Sequence, residues 1–162
     1  YQGVDFGFAQ DPTAALRCWI YQNTLWIEYE AGKVGLELDD TAQHISDRIP
    51  NFEKHAARAD SARPESISYL KRHGIPQLQS VKKWPGSVED GVSFLKTFER
   101  IVVHTRCPSV AREFRLYSYK VDRLTGDILP VIVDANNHWI DALRYALAPM
   151  IQAKGAPQIR AL

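Results

Sequence analysis

The stretch YQGVDFGFAQDPTAALRCWIYQNTLWIEYEA, residues 1–31, decides the fold. Its opening alternates Val4, Phe6 and Phe8, the two-residue period of a strand. PTAALRCWIYQ and TLWIEYEA follow, rich in aromatic and β-branched residues, with Gln22 and Asn23 as the turn between them. The three runs predict an antiparallel meander. Asp5 does not suit a strand that packs a core, because an unpaired buried carboxylate is costly. It either flanks a turn at Gly7 or has a task.

Beyond residue 31 the pattern changes. LDDTAQHISDRIPNF places Ala42, Ile45 and Ile49 at helical spacing. HAARAD reads as a short strand ending on Asp60. RPESISYLKRHG reads as a helix, with Pro64 in its first turn and Gly74 as its stop. IPQLQSV is a strand leading into KKWPG. Ser87 and Asp90 have the spacing of a capping box at the start of the next helix. RIVVHT is a strand, and PSVAREFRLYSY is a helix carrying Val110, Phe114 and Tyr117. Residues 119–133 predict a β-hairpin turning at 124–127. NNHWIDALRYALAPMI closes the order as a helix with Ile140, Leu143, Leu147 and Met150 on one face. A meander followed by alternating strands and helices predicts an α/β fold: a mixed central sheet flanked by helices.

At 162 residues the chain has the length of one domain with a real core. Residues 1–153 are expected to form it, and 154–162 to be a flexible tail. Hydrophobic residues make up 45% and charged ones 24%, a globular balance. A net charge of +1 excludes a uniformly basic polyanion binder, so any such site must be a local patch. Cys18 and Cys107 form no C-x-x-C, which fits reduced thiols. No run approaches the length of a membrane span. The chain begins with Tyr1, as the front edge of an excised domain would.

Three acids stand where strand and helix ends should meet. Asp5 is in the first strand, and Asp60 ends the strand after the first helix. Carboxyl ends of strands form the site crevice of open α/β sheets. Asp141 lies in the first turn of the last helix, and His138, three residues before it, shares its face. Carboxylate oxygens suit Mg²⁺ or Mn²⁺, and an imidazole tilts the set toward Mn²⁺. Local alternatives exist for each residue. Asp60 would also serve as a helix cap, Asp141 as a partner of the helix dipole, and His138 as a cap or packing group. Asp134 competes for the same corner, and Asp11 and Glu65 more weakly.

GVDFGFAQDPTA, ARADSARPESISYL, KKWPGSVEDGVSFLK and NNHWIDALRYAL, taken together and in this order, resemble the C-terminal nuclease domain of tailed-bacteriophage terminase large subunits. The resemblance spans Gly3 to about Ala148. It implies an RNase H-like (retroviral integrase-like) fold in which Asp5, Asp60 and Asp141 are catalytic. With His138, these acids would bind two divalent cations, Mg²⁺ or Mn²⁺. The motif's H-x-x-D falls on His138 and Asp141, which leaves Asp134 as a cap. The resemblance also implies an endonuclease that cuts concatemeric double-stranded phage DNA during packaging, in the cytoplasm of the infected host. Its partners would be an N-terminal ATPase domain of the same full-length chain, the terminase small subunit and the portal protein. No G-x-x-x-x-G-K-[ST] phosphate loop occurs, as expected of the nuclease half alone.

DNA phosphates require local positive charge. Lys82 and Lys83, at a strand end on the site side, are the expected DNA-binding residues, with Arg63, Lys120 and Arg144 as further candidates. The 119–133 hairpin either borders the active site or extends the sheet. Two rivals remain: another RNase H-fold nuclease, such as a junction resolvase or ribonuclease H, and a non-catalytic docking module for DNA or the portal. A pure binder has no use for clustered carboxylates that repel phosphate.

Overall fold

The computed structural model describes residues 1–133 and 135–155, without the side chains of Pro130, Lys154 and Gly155. The meander comprises β1 (Gln2–Asp5), β2 (Pro12–Tyr21) and β3 (Thr24–Val34). Gln22 and Asn23 both take positive φ, 44° and 58°, which matches the twist of a two-residue hairpin. Helix α1 (Leu38–Ser46) leads to β4 (Ala57–Asp60), then α2 (Pro64–Arg72) to β5 (Leu78–Val81). Helix α3 (Ser87–Leu95), β6 (Arg100–Val103) and α4 (Pro108–Leu116) follow. Strands β7 (Tyr119–Val121) and β8 (Ile128–Ile132) precede α5 (His138–Gly155).

Six strands form one mixed sheet in the order β5-β4-β1-β2-β3-β6. Strand β1 is interior, parallel to β4 and antiparallel to β2. Each face buries its own core. Val4, Ala15, Ala31 and Ala59 pack against Ile45 of α1 and Ile67 and Leu70 of α2. Leu16, Cys18, Leu25 and Ile27 pack on the other face against Leu95, Val110, Leu143 and Leu147. Helix α5 lies directly across β1 because Gly3 has no side chain: a Cβ there would collide with the Ala142 carbonyl oxygen. That close approach fixes the first turn of α5 beside the end of β1.

Two local expectations are corrected, and one open alternative is decided. The N-cap of α3 is Gly86, at φ 80°, with no side-chain cap. Asp90 instead accepts a hydrogen bond from Trp84 Nε1 at 2.7 Å, so the capping box does not form. Strand β1 stops at Asp5, and Phe8 is 48% exposed, so the apolar alternation outlasts the strand. The hairpin forms as a separate two-stranded sheet, so it does not extend the central one, and its second strand borders the pocket that holds Lys83, Asp141 and Arg144. It turns on Asp122, whose Oδ1 accepts from the Leu124 and Thr125 amides, and on Gly126 at φ 77°. The tail expected from 154 meets α5, which continues through Gly155; residues 156–162 lie outside the described residues, as does Asp134.

Candidate active site

Strands β1 and β4 run in parallel register, with Gln2 beside Ala57, Gly3 beside Arg58 and Val4 beside Ala59. One step further sets Asp5 beside Asp60. Val4 and Ala59 face α1 and α2. By the two-residue alternation of strands, Asp5 and Asp60 face the other way, toward α5. Both stand at the carboxyl ends of their strands. Asp141 reaches the same corner from the first turn of α5.

Each carboxylate is held by a cation or imidazole. Asp5 Oδ2 lies 3.3 Å from His138 Nδ1, and the other ring nitrogen lies 3.3 Å from Asp11 Oδ1. The bond to Asp5 outweighs burial and raises the His138 pKa above its ordinary value. Asp60 Oδ2 lies 2.6 Å from Lys83 Nζ, and Oδ1 accepts from the Ala62 amide at 3.1 Å. Asp60 therefore closes a local turn and does not cap α2, whose N-cap is Arg63. Asp141 Oδ1 accepts from Arg144 at 2.6 and 3.2 Å. Burial raises the Asp141 pKa; Arg144 opposes that shift, and nearby Asp5 adds to it. Lys83 lies over the ring of Tyr145 and within reach of its buried hydroxyl.

This donor set fits a divalent cation such as Mg²⁺ or Mn²⁺: three carboxylates, which require positive charge, and one imidazole nitrogen. In this conformation no three His, Cys, Asp or Glu side chains among the described residues stand together as a metal-holding group. Lys83 and the Ala62 amide occupy both oxygens of Asp60, so ligation there requires side-chain rotation, whereas Arg144 holds only Oδ1 of Asp141.

The expected DNA contacts divide. Lys82 is exposed on the loop after β5. Lys83 is half-exposed and paired. Arg144 is 4% exposed, and its other end donates to the Ser87 carbonyl, so it is unavailable to a phosphate. A cleft of about 650 Å³ opens beside His138, lined in part by Asp11, Lys33, Arg112 and Asn136.

Sequence reasoning missed Glu113. It is 5% exposed on α4 and accepts from the His138, Trp139 and Ile140 amides at 3.0, 2.8 and 3.1 Å. It thereby anchors the turn that carries both His138 and Asp141. Its signal was an acid three residues after Val110, on the apolar stripe of α4. Tyr145 was also missed, because a tyrosine on a buried helix face reads as core.

The chain matches the Terminase RNAseH like domain over residues 5–149. It is 39% identical over 150 residues to the terminase large subunit of Bacillus phage SPP1, covering 90% of this chain and 35% of that protein. It is 29% identical over 147 residues to the PBSX phage terminase large subunit of Bacillus subtilis (strain 168), covering 90% and 33%. The chain thus spans about a third of the length of these curated relatives. Among solved structures, the SPP1 large-terminase nuclease domain with bound Mn superposes with a TM-score of 0.83 at 37% identity, covering 92% of this chain and 85% of that one. With the mixed sheet and the shared corner of Asp5, Asp60 and Asp141, these matches establish that the chain belongs to the terminase RNase H-like domain family.

Proposed function

We propose that this chain is a metal-dependent endonuclease domain that cleaves concatemeric double-stranded phage DNA during genome packaging. The observation that carries this reading is the corner itself: Asp5 and Asp60 side by side at parallel strand ends, facing Asp141 on α5. The Mn bound to the similar SPP1 domain supports divalent-metal use. Asp5, Asp60, Asp141 and His138 would hold two ions, Mg²⁺ or Mn²⁺. When bound, such ions activate water and balance the leaving oxygen of an in-line displacement. Asp5, between Asp60 and α5, would be the ligand best placed to serve both. Arg144 orients Asp141 and leaves its Oδ2 free to ligate. Lys82 and Lys83 would meet the phosphate backbone, which positions the duplex without reading its sequence. The working enzyme would include an N-terminal ATPase domain and act with a small subunit and a portal, in the cytoplasm of the infected host. No described helix is long and apolar enough to cross a membrane.

The test is loss of supercoiled plasmid in Mn²⁺, with circular dichroism as the fold control. Asp5→Asn, Asp60→Asn and Asp141→Asn should each abolish cleavage. His138→Ala should weaken it less, because water can replace an imidazole at one metal. Asp134→Asn should retain most activity. A dead Asp134→Asn with a fully active Asp141→Asn would move the third ligand to residue 134. Preference for an RNA–DNA hybrid over duplex DNA would make the domain a ribonuclease.

A further inference from the structure

The three carboxylates do not have equal freedom to ligate. Asp5 engages His138 through Oδ2, and Asp141 engages Arg144 through Oδ1. Each keeps one oxygen without a hydrogen-bond partner among the described residues. Asp60 keeps none: Oδ1 accepts the Ala62 amide and Oδ2 holds Lys83. Asp60 must therefore exchange a partner before it can ligate an ion through Oδ2.

The two cations also differ in freedom. Arg144 is buried, lies against Gly91 and is anchored by the Ser87 carbonyl at 3.1 Å. Lys83 projects from the loop between β5 and α3 with 49% of its side chain exposed. Besides Asp60, it lies near Tyr145, with the ammonium 5.7 Å from the ring centroid, and within electrostatic reach of Asp141. The long aliphatic stem and compact ammonium of lysine reorient readily.

We propose that Lys83 is a displaceable counterion of Asp60: it holds the carboxylate when no metal is bound, yields Oδ2 to a divalent cation, and then turns its ammonium to a DNA phosphate. Arg144 stays on Asp141 throughout. This rests on the nuclease reading and adds an order of events to it. A divalent ion and an ammonium on one carboxylate oxygen repel each other, strongly so in a half-buried corner. The displaced ammonium stays near the site because the Tyr145 ring attracts it. The Tyr145 hydroxyl, already within reach of the ammonium, gives it an acceptor there. Metal and DNA binding are then positively coupled through one side chain. Without metal, the charge of Lys83 is spent on Asp60; with metal, it is available to phosphate.

Mn²⁺ titrated by calorimetry into the chain and into Lys83→Met, without DNA, tests the first step. The variant should bind Mn²⁺ roughly tenfold tighter, within the ordinary range of coupling between sites. Lys83→Gln should do the same and serves if Lys83→Met fails to fold. Duplex binding by fluorescence anisotropy, with and without Ca²⁺, tests the second step. Ca²⁺ should strengthen duplex binding more in the parent than in either variant. Parental Mn²⁺ binding that the variants do not improve would overturn the counterion role and leave the nuclease reading standing. Equal Ca²⁺ enhancement in parent and variants would overturn the transfer to phosphate. No Mn²⁺ binding by parent or variants would overturn both this inference and the nuclease reading.

Discussion

A carboxylate on an interior strand raises the question of what it is for, and the answer begins with its neighbours. Asp5 is partly buried beside His138, and Asp141 is buried deeply enough for its pKa to rise despite Arg144. Neither arrangement maximises stability, since buried charge is costly even when paired. Such arrangements are common where chemistry is done. The two cysteines behave oppositely. Both are fully buried and unpaired, and burial pushes both thiols up to about 12. Only the thiolate reacts, so both should be inert in the native protein. A disulfide reagent at about pH 8 should therefore label neither thiol in the folded chain and both after denaturation. Rapid labelling of one thiol in the folded chain would contradict its burial.

At the scale of elements, two glutamates link strand and helices in a relay. Glu30 on β3 accepts from the Ser109 and Val110 amides at the start of α4. Glu113 on α4 accepts from three amides at the start of α5. Carboxylates at helix N-termini satisfy orphan amides and complement the dipole. Glu113 also sets where His138 and Asp141 sit. Glu113→Ala should cost about 1–3 kcal/mol, the penalty for unsatisfied buried donors. For a chain of this size that lowers Tm by roughly 2–4 °C per kcal/mol. Glu113→Gln, which keeps an acceptor oxygen, should recover part of the loss. Cleavage should fall further than stability in Glu113→Ala, because His138 and Asp141 lose their register against Asp5. A Tm equal to that of the parent would show that water satisfies these amides instead.

For the whole molecule, the carboxylate corner is a stability term that depends on its ligand. An ion that binds only the folded state stabilises it by mass action, by about 2.7 kcal/mol at one hundred times the dissociation constant. Saturating Mn²⁺ should therefore raise Tm by roughly 5–10 °C over the value in EDTA. Asp60→Asn should abolish most of that rise. An unchanged Tm in millimolar Mn²⁺ would remove the corner from consideration as a metal site. The two faces of the sheet carry separate apolar clusters, and none of Asp5, Asp60, His138 and Asp141 is a member of either. Near-isosteric changes such as Asp→Asn therefore remove no member of those clusters.

The sequence alone determined the order of elements, the meander, the sheet covered on both faces and the hairpin before the last helix. These are local properties: residue periodicity, Gln22 and Asn23 in a tight turn, Pro64 in a first helical turn, Gly74 after a last one. It also singled out Asp5, because a charge that breaks an apolar strand is conspicuous without any coordinates. Tertiary structure alone decided what depends on contacts between distant residues. His138 meets Asp5 across 133 positions, and Glu113 reaches the start of α5 across 25. Asp90 turns from its own helix to Trp84, Arg144 is buried on Asp141, and Lys83 closes on Asp60. A side chain's partner is the best of all the groups that folding brings near it, and local sequence ranks only those close along the chain.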